Sequence, residues 1–195
     1  MAVIVNFGSY PQNGSGKKPI EWQILDVSGD EALLVSCYGI DSRQYNSRFM
    51  DVTWENCDLR KWLNHDFLKA AFTEEEQQRI KFADVPNDDN PRFGACGGND
   101  TRDRVFCLSL AEAERYFKDD SERECWPTAL ALYRGLESWH GSCFWWLRSP
   151  GSSLTYASYV YTNGDLSHLG CSILDDLAVR PALRVNLGAV LARQR

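Results

Sequence analysis

From residue 136 onward the sequence carries no signal that would start or hold a helix, and this limits the fold more than any other feature. Upstream such signals are plentiful. Thr53 can cap a helix whose Leu59, Trp62, Leu63 and Phe67 share one face at 3.6-residue spacing. Thr73 with Glu76, and Ser109 with Glu112, have the spacing of a capping box, in which each side chain satisfies a backbone N–H left free by the first turn. Pro127 at a first helical position and Gly135 just past the end bracket a fourth helix. Beyond that glycine only short runs remain, at 143–147, 156–162, 165–169 and 178–187, and they read as strands. Asn163-Gly164 between the middle two signals a hairpin with a type I′ turn, whose two central residues both need positive φ. At the other end, residues 2–7 suit a strand, and 20–24 with 32–36 suit a hairpin turning at Ser28-Gly29-Asp30. The apolar segments nearest the ends, 3–7 and 179–187, each need a backbone partner and are expected to pair. The reading is one α+β domain over 1–195, with an α-rich middle and a β-rich C-terminal third.

Charge excludes some partners. A formal net charge of −6 and a pI near 5.1 argue against nucleic acid or an anionic membrane. Phosphate contacts need a basic stripe, whereas Lys17-Lys18 and Arg60-Lys61 stand alone. No apolar run approaches the roughly 18 residues of a membrane span. The opening Met1-Ala2-Val3-Ile4-Val5-Asn6 has no basic region and too short an apolar stretch for a signal peptide, so a cytoplasmic address is expected, with phage association possible. Seven Cys, an odd count, fit reduced thiols in that compartment better than a disulfide framework. There is no CxxC pair and the three His lie apart at 65, 140 and 168, so neither metal nor cofactor is expected.

Three groupings hint at chemistry, and each has a plainer reading. His140 lies three residues before Cys143, as a thiolate nucleophile and its base would. The plainer reading is a small buried residue on a strand and a histidine in a loop. The 84–104 loop, with Asn87-Asp88-Asp89-Asn90 and Asn99-Asp100-Thr101-Arg102-Asp103, has oxygens enough for Ca²⁺. Asn and Asp also order loops by bonding to their own backbone, which is the reading preferred, with calcium left open. Trp145-Trp146 could stack on a sugar, but neighbours on a strand point to opposite faces, and both are expected in the core. GxSxG, HExxH, a glycine-rich phosphate loop and a Walker lysine are all absent, so no catalytic residue is assigned and no enzyme is expected.

The segment 152–177 is unusual in composition. Its 26 residues include no Lys, Glu, Gln, Met, Trp or Arg, although the first five types make up 32 of the other 169 residues. Turn-rich strands favour Ser, Gly, Asn, Asp and Tyr in any case. The same types suit adaptable binding loops, because Tyr gives a large contact area at low entropic cost.

Several stretches carry a family resemblance: FGSYPQ at 7–12, PIEWQILD at 19–26, DVTWENCDLRKWLN at 51–64, NDDNPRFG at 87–94, GGNDTRDRVFCLS at 97–109, FWWLRSPG at 144–151 and AVRPALRVNL at 178–187. Together they resemble a bacterial and phage domain-of-unknown-function family with a C-terminal WWLRSPG…AVRPAL cassette. That family looks related to C-type-lectin-fold proteins, among them formylglycine-generating enzymes and the variable proteins of diversity-generating retroelements. In the latter, error-prone copying at adenines rewrites selected codons near the 3′ end of the gene. An AAC-type codon changed at its first two positions cannot become Lys, Glu, Gln, Met or Trp, which are five of the types missing from 152–177; the absence of Arg is not explained this way.

The resemblance implies a C-type-lectin-like fold of the formylglycine-generating-enzyme-like subgroup, and a ligand-binding protein with a diversified surface. The flanks from Trp145 to Gly151 and from Ala178 to Leu183 match its fixed cassette, and Ala157, Val160, Gly164 and Gly170 look like framework within the tract. The expected variable, solvent-facing set is Ser152, Ser153, Leu154, Tyr156, Tyr159, Tyr161, Ser167, His168, Leu169, Ser172, Leu174, Asp175, Asp176 and Leu177. Its partner would be a protein or glycan. The alternatives are a copper oxidase of the formylglycine-generating type, and a non-diversified structural or interaction domain of phage or bacterial origin. The oxidase needs two nearby late cysteines, whereas Cys143 and Cys171 are 28 residues apart.

Overall fold

Alternating apolar and polar side chains from Ile4 to Ser36 build a three-strand meander of β1 (Ile4–Pro11), β2 (Lys17–Ser28) and β3 (Glu31–Ser36) in the computed structural model of the chain. The described residues are 3–14 and 16–188, so the expected strand start at Ala2 lies outside them. Six more strands form the body of the two main sheets with these: β4 (Asp41–Arg43), β5 (Trp145–Pro150), β6 (Tyr156–Val160), β7 (Leu166–Ser172), β8 (Leu177–Val179) and β9 (Ala182–Asn186). The first sheet runs β1-β2-β3-β9, with Ile80–Lys81 and Val105–Phe106 also paired to β9. The second runs β7-β6-β5-β8-β4. The architecture is mixed α+β, as expected.

The terminal strands share a sheet but do not pair, contrary to expectation. β1 closes a local hairpin with β2, and β9 takes β3 as its antiparallel partner from Ala182 opposite Val35 to Asn186 opposite Glu31. Closing the short loop of a hairpin costs less entropy than joining the two ends of the chain.

The helices follow their caps. Helix α1 (Asp58–Trp62) passes through a π turn, Leu63–Phe67, into α2 (Leu68–Ala71). Its inward face carries Leu59, Trp62, Leu63 and Phe67, as their spacing requires. The cap is Cys57, not Thr53: the Thr53 carbonyl accepts from the N–H groups of Asn56 and Cys57 in a separate turn, and the helix begins only after it. Helices α3 (Glu74–Arg79) and α4 (Leu110–Tyr116) both open on the capping boxes foreseen. A further turn, α5 (Asp120–Arg123), has an Asp119 cap that was not foreseen. Helix α6 (Ala129–Tyr133) is capped by Thr128, leaving Pro127 outside and bridged to Gly39, while Gly135 follows the helix at φ 90°.

The cassettes flanking 152–177 lie in the core. Trp145 and Trp146 point to opposite faces of β5, and both are fully buried because each face is covered. Their indole N–H groups donate to the carbonyls of Arg123 and Arg43, at 3.0 and 2.7 Å. A buried indole needs such an acceptor. Arg148, 3% exposed, donates to the carbonyls of Pro86 and Cys107 and pairs with Glu112. Arg180, 2% exposed, donates to the Ser36 carbonyl and lies over the rings of Phe117 and Trp145. It sits where the chain leaves β8 of one sheet for β9 of the other. No helix among the described residues is long and apolar enough to cross a membrane.

Candidate functional site

Strands β6 and β7 carry much of 152–177 at one edge of the second sheet. Their turn is not the type I′ expected. Among the described residues only His140 is a non-glycine with positive φ, so Asn163 lacks it. Instead 162–164 form a three-residue loop, with Tyr161 N–H donating to the Asp165 carbonyl and Gly164 N–H to the Tyr161 carbonyl. Gly164, at φ 85°, presses on the Asp120 backbone, where a Cβ would meet the carbonyl oxygen at 1.7 Å.

The pairing of β6 with β7 also slips. Ala157 faces Cys171 while Tyr159 faces Ser167, so Ser158 stands against residues 168–170. A bulge of this kind breaks the inward-outward alternation of the strand. Ser167 and His168 consequently both turn inward, at 4% and 7% exposure, which corrects the solvent-facing expectation for them. Asn90 fastens the 84–104 loop beside them, its amide donating to the carbonyls of Pro150, Gly151 and His168. Leu177 is the third correction, at 7% exposure. It lies on β8, which has β5 on one side and β4 on the other, inside a sheet covered by packed side chains.

The other eleven named side chains reach the surface to some degree. Ser153, Tyr156, Tyr161, Leu169, Asp175 and Asp176 are exposed, and Ser152, Leu154, Tyr159, Ser172 and Leu174 are half-buried. Ala157, Val160, Gly164 and Gly170 face inward. Tyr159 and Tyr161 share a face by parity, opposite the fully buried Val160. Their rings lie 4.8 Å apart, and each is about 6 Å from Phe144, at 5.9 and 6.0 Å.

The structure does not gather these residues into one patch. Tyr159, Asp175, Asp176 and Leu177 line a 390 Å³ hollow whose other wall is Gly135, Leu136, Glu137 and Phe144. Tyr161 lines a second hollow, of 640 Å³, with Glu124, Trp139, His140 and Asp165. Leu154 borders a third with Asn46, Met50 and Val52. Burial, reinforced by a hydrogen bond with Tyr161, raises the Tyr159 hydroxyl well above the usual tyrosine range. Burial and the neighbouring Asp175 likewise raise the Cys171 thiol, which stays protonated at neutral pH. Glu124, Glu137, Trp139 and Phe144 are lining residues that sequence reasoning missed. The signal for Trp139 was its place beside His140-Gly141, a turn with positive φ at both residues that leaves the indole 68% exposed.

The candidate chemical groupings resolve into structure. His140 is exposed, its ring edge-on to Trp139, while Cys143 is fully buried and its thiol donates to the Cys125 carbonyl at 3.2 Å. Contact with Cys125 and burial push that thiol far up, away from a thiolate. The ends of the expected 84–104 loop pair as strands, Ala83–Val85 with Thr101–Asp103. Between them Asp89 and Asp100 accept from the backbone N–H groups of Gly97 and Asn87, and Asn90 from those of Arg92 and Phe93. These oxygens order the loop.

One family matches the chain: a domain of unknown function, DUF6273, over residues 29–187. No curated protein and no solved structure matches it.

Proposed function

We propose, for a chain that belongs to the DUF6273 family, that it is a ligand-binding protein whose 152–177 segment is a diversified recognition surface. In this reading the α+β scaffold is of the C-type-lectin kind, near the formylglycine-generating subgroup, and the surface meets a protein or glycan without turnover. One observation carries the reading. The segment that lacks Lys, Glu, Gln, Met and Trp divides by side, with its four framework residues inward and eleven of its fourteen named side chains outward or half-outward. A surface can be rewritten only where losing a side chain leaves the core intact, and exposed positions usually change stability by about 0.5 kcal/mol or less. The fully buried Cys143 thiol and the exposed His140, whose ring packs on Trp139, give no support to a thiolate–imidazole pair, which favours binding over turnover in this reading.

Sequencing the gene and its 3′ flank in related isolates tests this. The expected result is a reverse-transcriptase gene, a near-copy of the 3′ end, and differences that fall at adenines within 152–177. Differences spread evenly over core and surface, with no such copy, would overturn the reading.

A further inference from the structure

The two hollows at β6 share a wall. Phe144 lines both, Tyr159 lines the first, and Tyr161 and Trp139 line the second, so four aromatic side chains border a groove made of two separate hollows that meet at Phe144. Rings of this kind, exposed at Trp139 and Tyr161 and half-buried at Phe144 and Tyr159, hold a sugar, an apolar side chain or a cation by contact. Charge decides among these.

Glu137, Asp175 and Asp176 line the first hollow, and Glu124 and Asp165 the second, while neither lining includes a Lys or Arg. Among the described residues none of the five carboxylates enters an ion pair. The chain as a whole has 21 basic side chains against 27 acidic ones, so five against none departs from its average. Three other hollows each include Lys61. Unbalanced carboxylates beside aromatic faces attract a cation through both Coulomb attraction and the ring quadrupole. Because the acids are divided between adjoining hollows, they suit several cations carried on one chain better than a single small ion.

We propose that this groove binds a basic segment of another polypeptide. One Arg or Lys side chain would sit against Phe144 and Tyr159 among Glu137, Asp175 and Asp176. A second would sit over Trp139 and Tyr161, beside Glu124 and Asp165. A planar guanidinium stacks on rings better than an ammonium does, so Arg is preferred. This rests on the recognition-surface reading and narrows its ligand to a cationic one.

The test is fluorescence anisotropy of labelled hexa-arginine titrated with the full chain at about 0.15 M salt. Saturable binding is expected, weaker for hexa-lysine and absent for the uncharged hexa-citrulline. The double variant Glu137→Gln/Asp176→Asn should lower affinity about tenfold, as should Tyr159→Ala, whereas the same charge change elsewhere, Asp88→Asn/Glu114→Gln, should leave it within about twofold. No binding of hexa-arginine, equal losses in the two double variants, or binding of a neutral oligosaccharide in the groove instead would each overturn the proposal. If isolates vary at 152–177 as the recognition-surface reading requires and hexa-arginine still fails to bind, only the cationic ligand falls.

Discussion

Gly170→Ala adds one methyl group to a segment whose outward positions are expected to tolerate change, and it should be among the most damaging substitutions there. The backbone at Gly170 has φ 78°, where an alanine costs about 1–2 kcal/mol. The new Cβ would stand 2.6 Å from the Ala157 carbonyl oxygen and 2.9 Å from the Gly151 Cα. Both are backbone atoms, so no side chain can swing aside. Relief needs the bulge itself to move, which adds strain of about 1–3 kcal/mol. The sum of about 2–5 kcal/mol corresponds to a fall in melting temperature on the order of 10 °C for a chain of this size. A thermal melt followed by circular dichroism reads this directly. Leu169→Ala serves as the neighbouring control, since Leu169 is 56% exposed and its loss should cost no more than about 0.5 kcal/mol. If Gly170→Ala melted with the wild type, the bulge would not be the rigid device that turns Ser167 and His168 inward.

Arg148→Met should destabilise the protein by about 3–5 kcal/mol in urea unfolding, because it leaves Glu112 with only its Ser109 N–H partner and removes the donor for the carbonyls of Pro86 and Cys107. Burial, with the charge of Asp41, pushes the Tyr10 hydroxyl from 10.0 up to about 12, so the folded state keeps a proton that the unfolded chain releases. The stability this proton provides is complete below pH 10 and is lost as pH rises toward 12; in alkaline melts Tyr10→Phe should flatten that part of the decline. A thiol reagent added to native protein should modify the exposed Cys96 first and reach Cys57, Cys107, Cys125 and Cys143 only on unfolding, as peptide mapping would show.

What was legible in the sequence was local. Capping boxes at Thr73 and Ser109 involve residues three apart, and both formed. The parity that set Val160 inward and Tyr159 and Tyr161 together is equally local. Some failures, at the Thr53 cap, at Pro127 and in the 162–164 turn, were local too, and the others came from contacts distant in sequence. His168 points inward because of the bulge at Gly170, packed on Ala157 and Gly151, and Leu177 is buried by the Asp41–Arg43 strand from the far N-terminal half. β1 missed β9 because β3 takes one edge of the C-terminal strand and Ile80–Lys81 with Val105–Phe106 take the other. At the site, composition marked out 152–177, but the opposing walls come from Glu124, Glu137, Trp139 and Phe144, and only packing brings them alongside.

The central claim, that 152–177 is a tolerant surface on a fixed frame, is tested most directly by randomising every position of that segment singly and sorting displayed variants for protease resistance. The account predicts broad tolerance at Ser153, Tyr156, Tyr161, Leu169, Asp175 and Asp176, and rejection at Ala157, Val160, Gly164, Ser167, His168, Gly170 and Leu177. Uniform intolerance across both groups would contradict it, and would make the segment ordinary core.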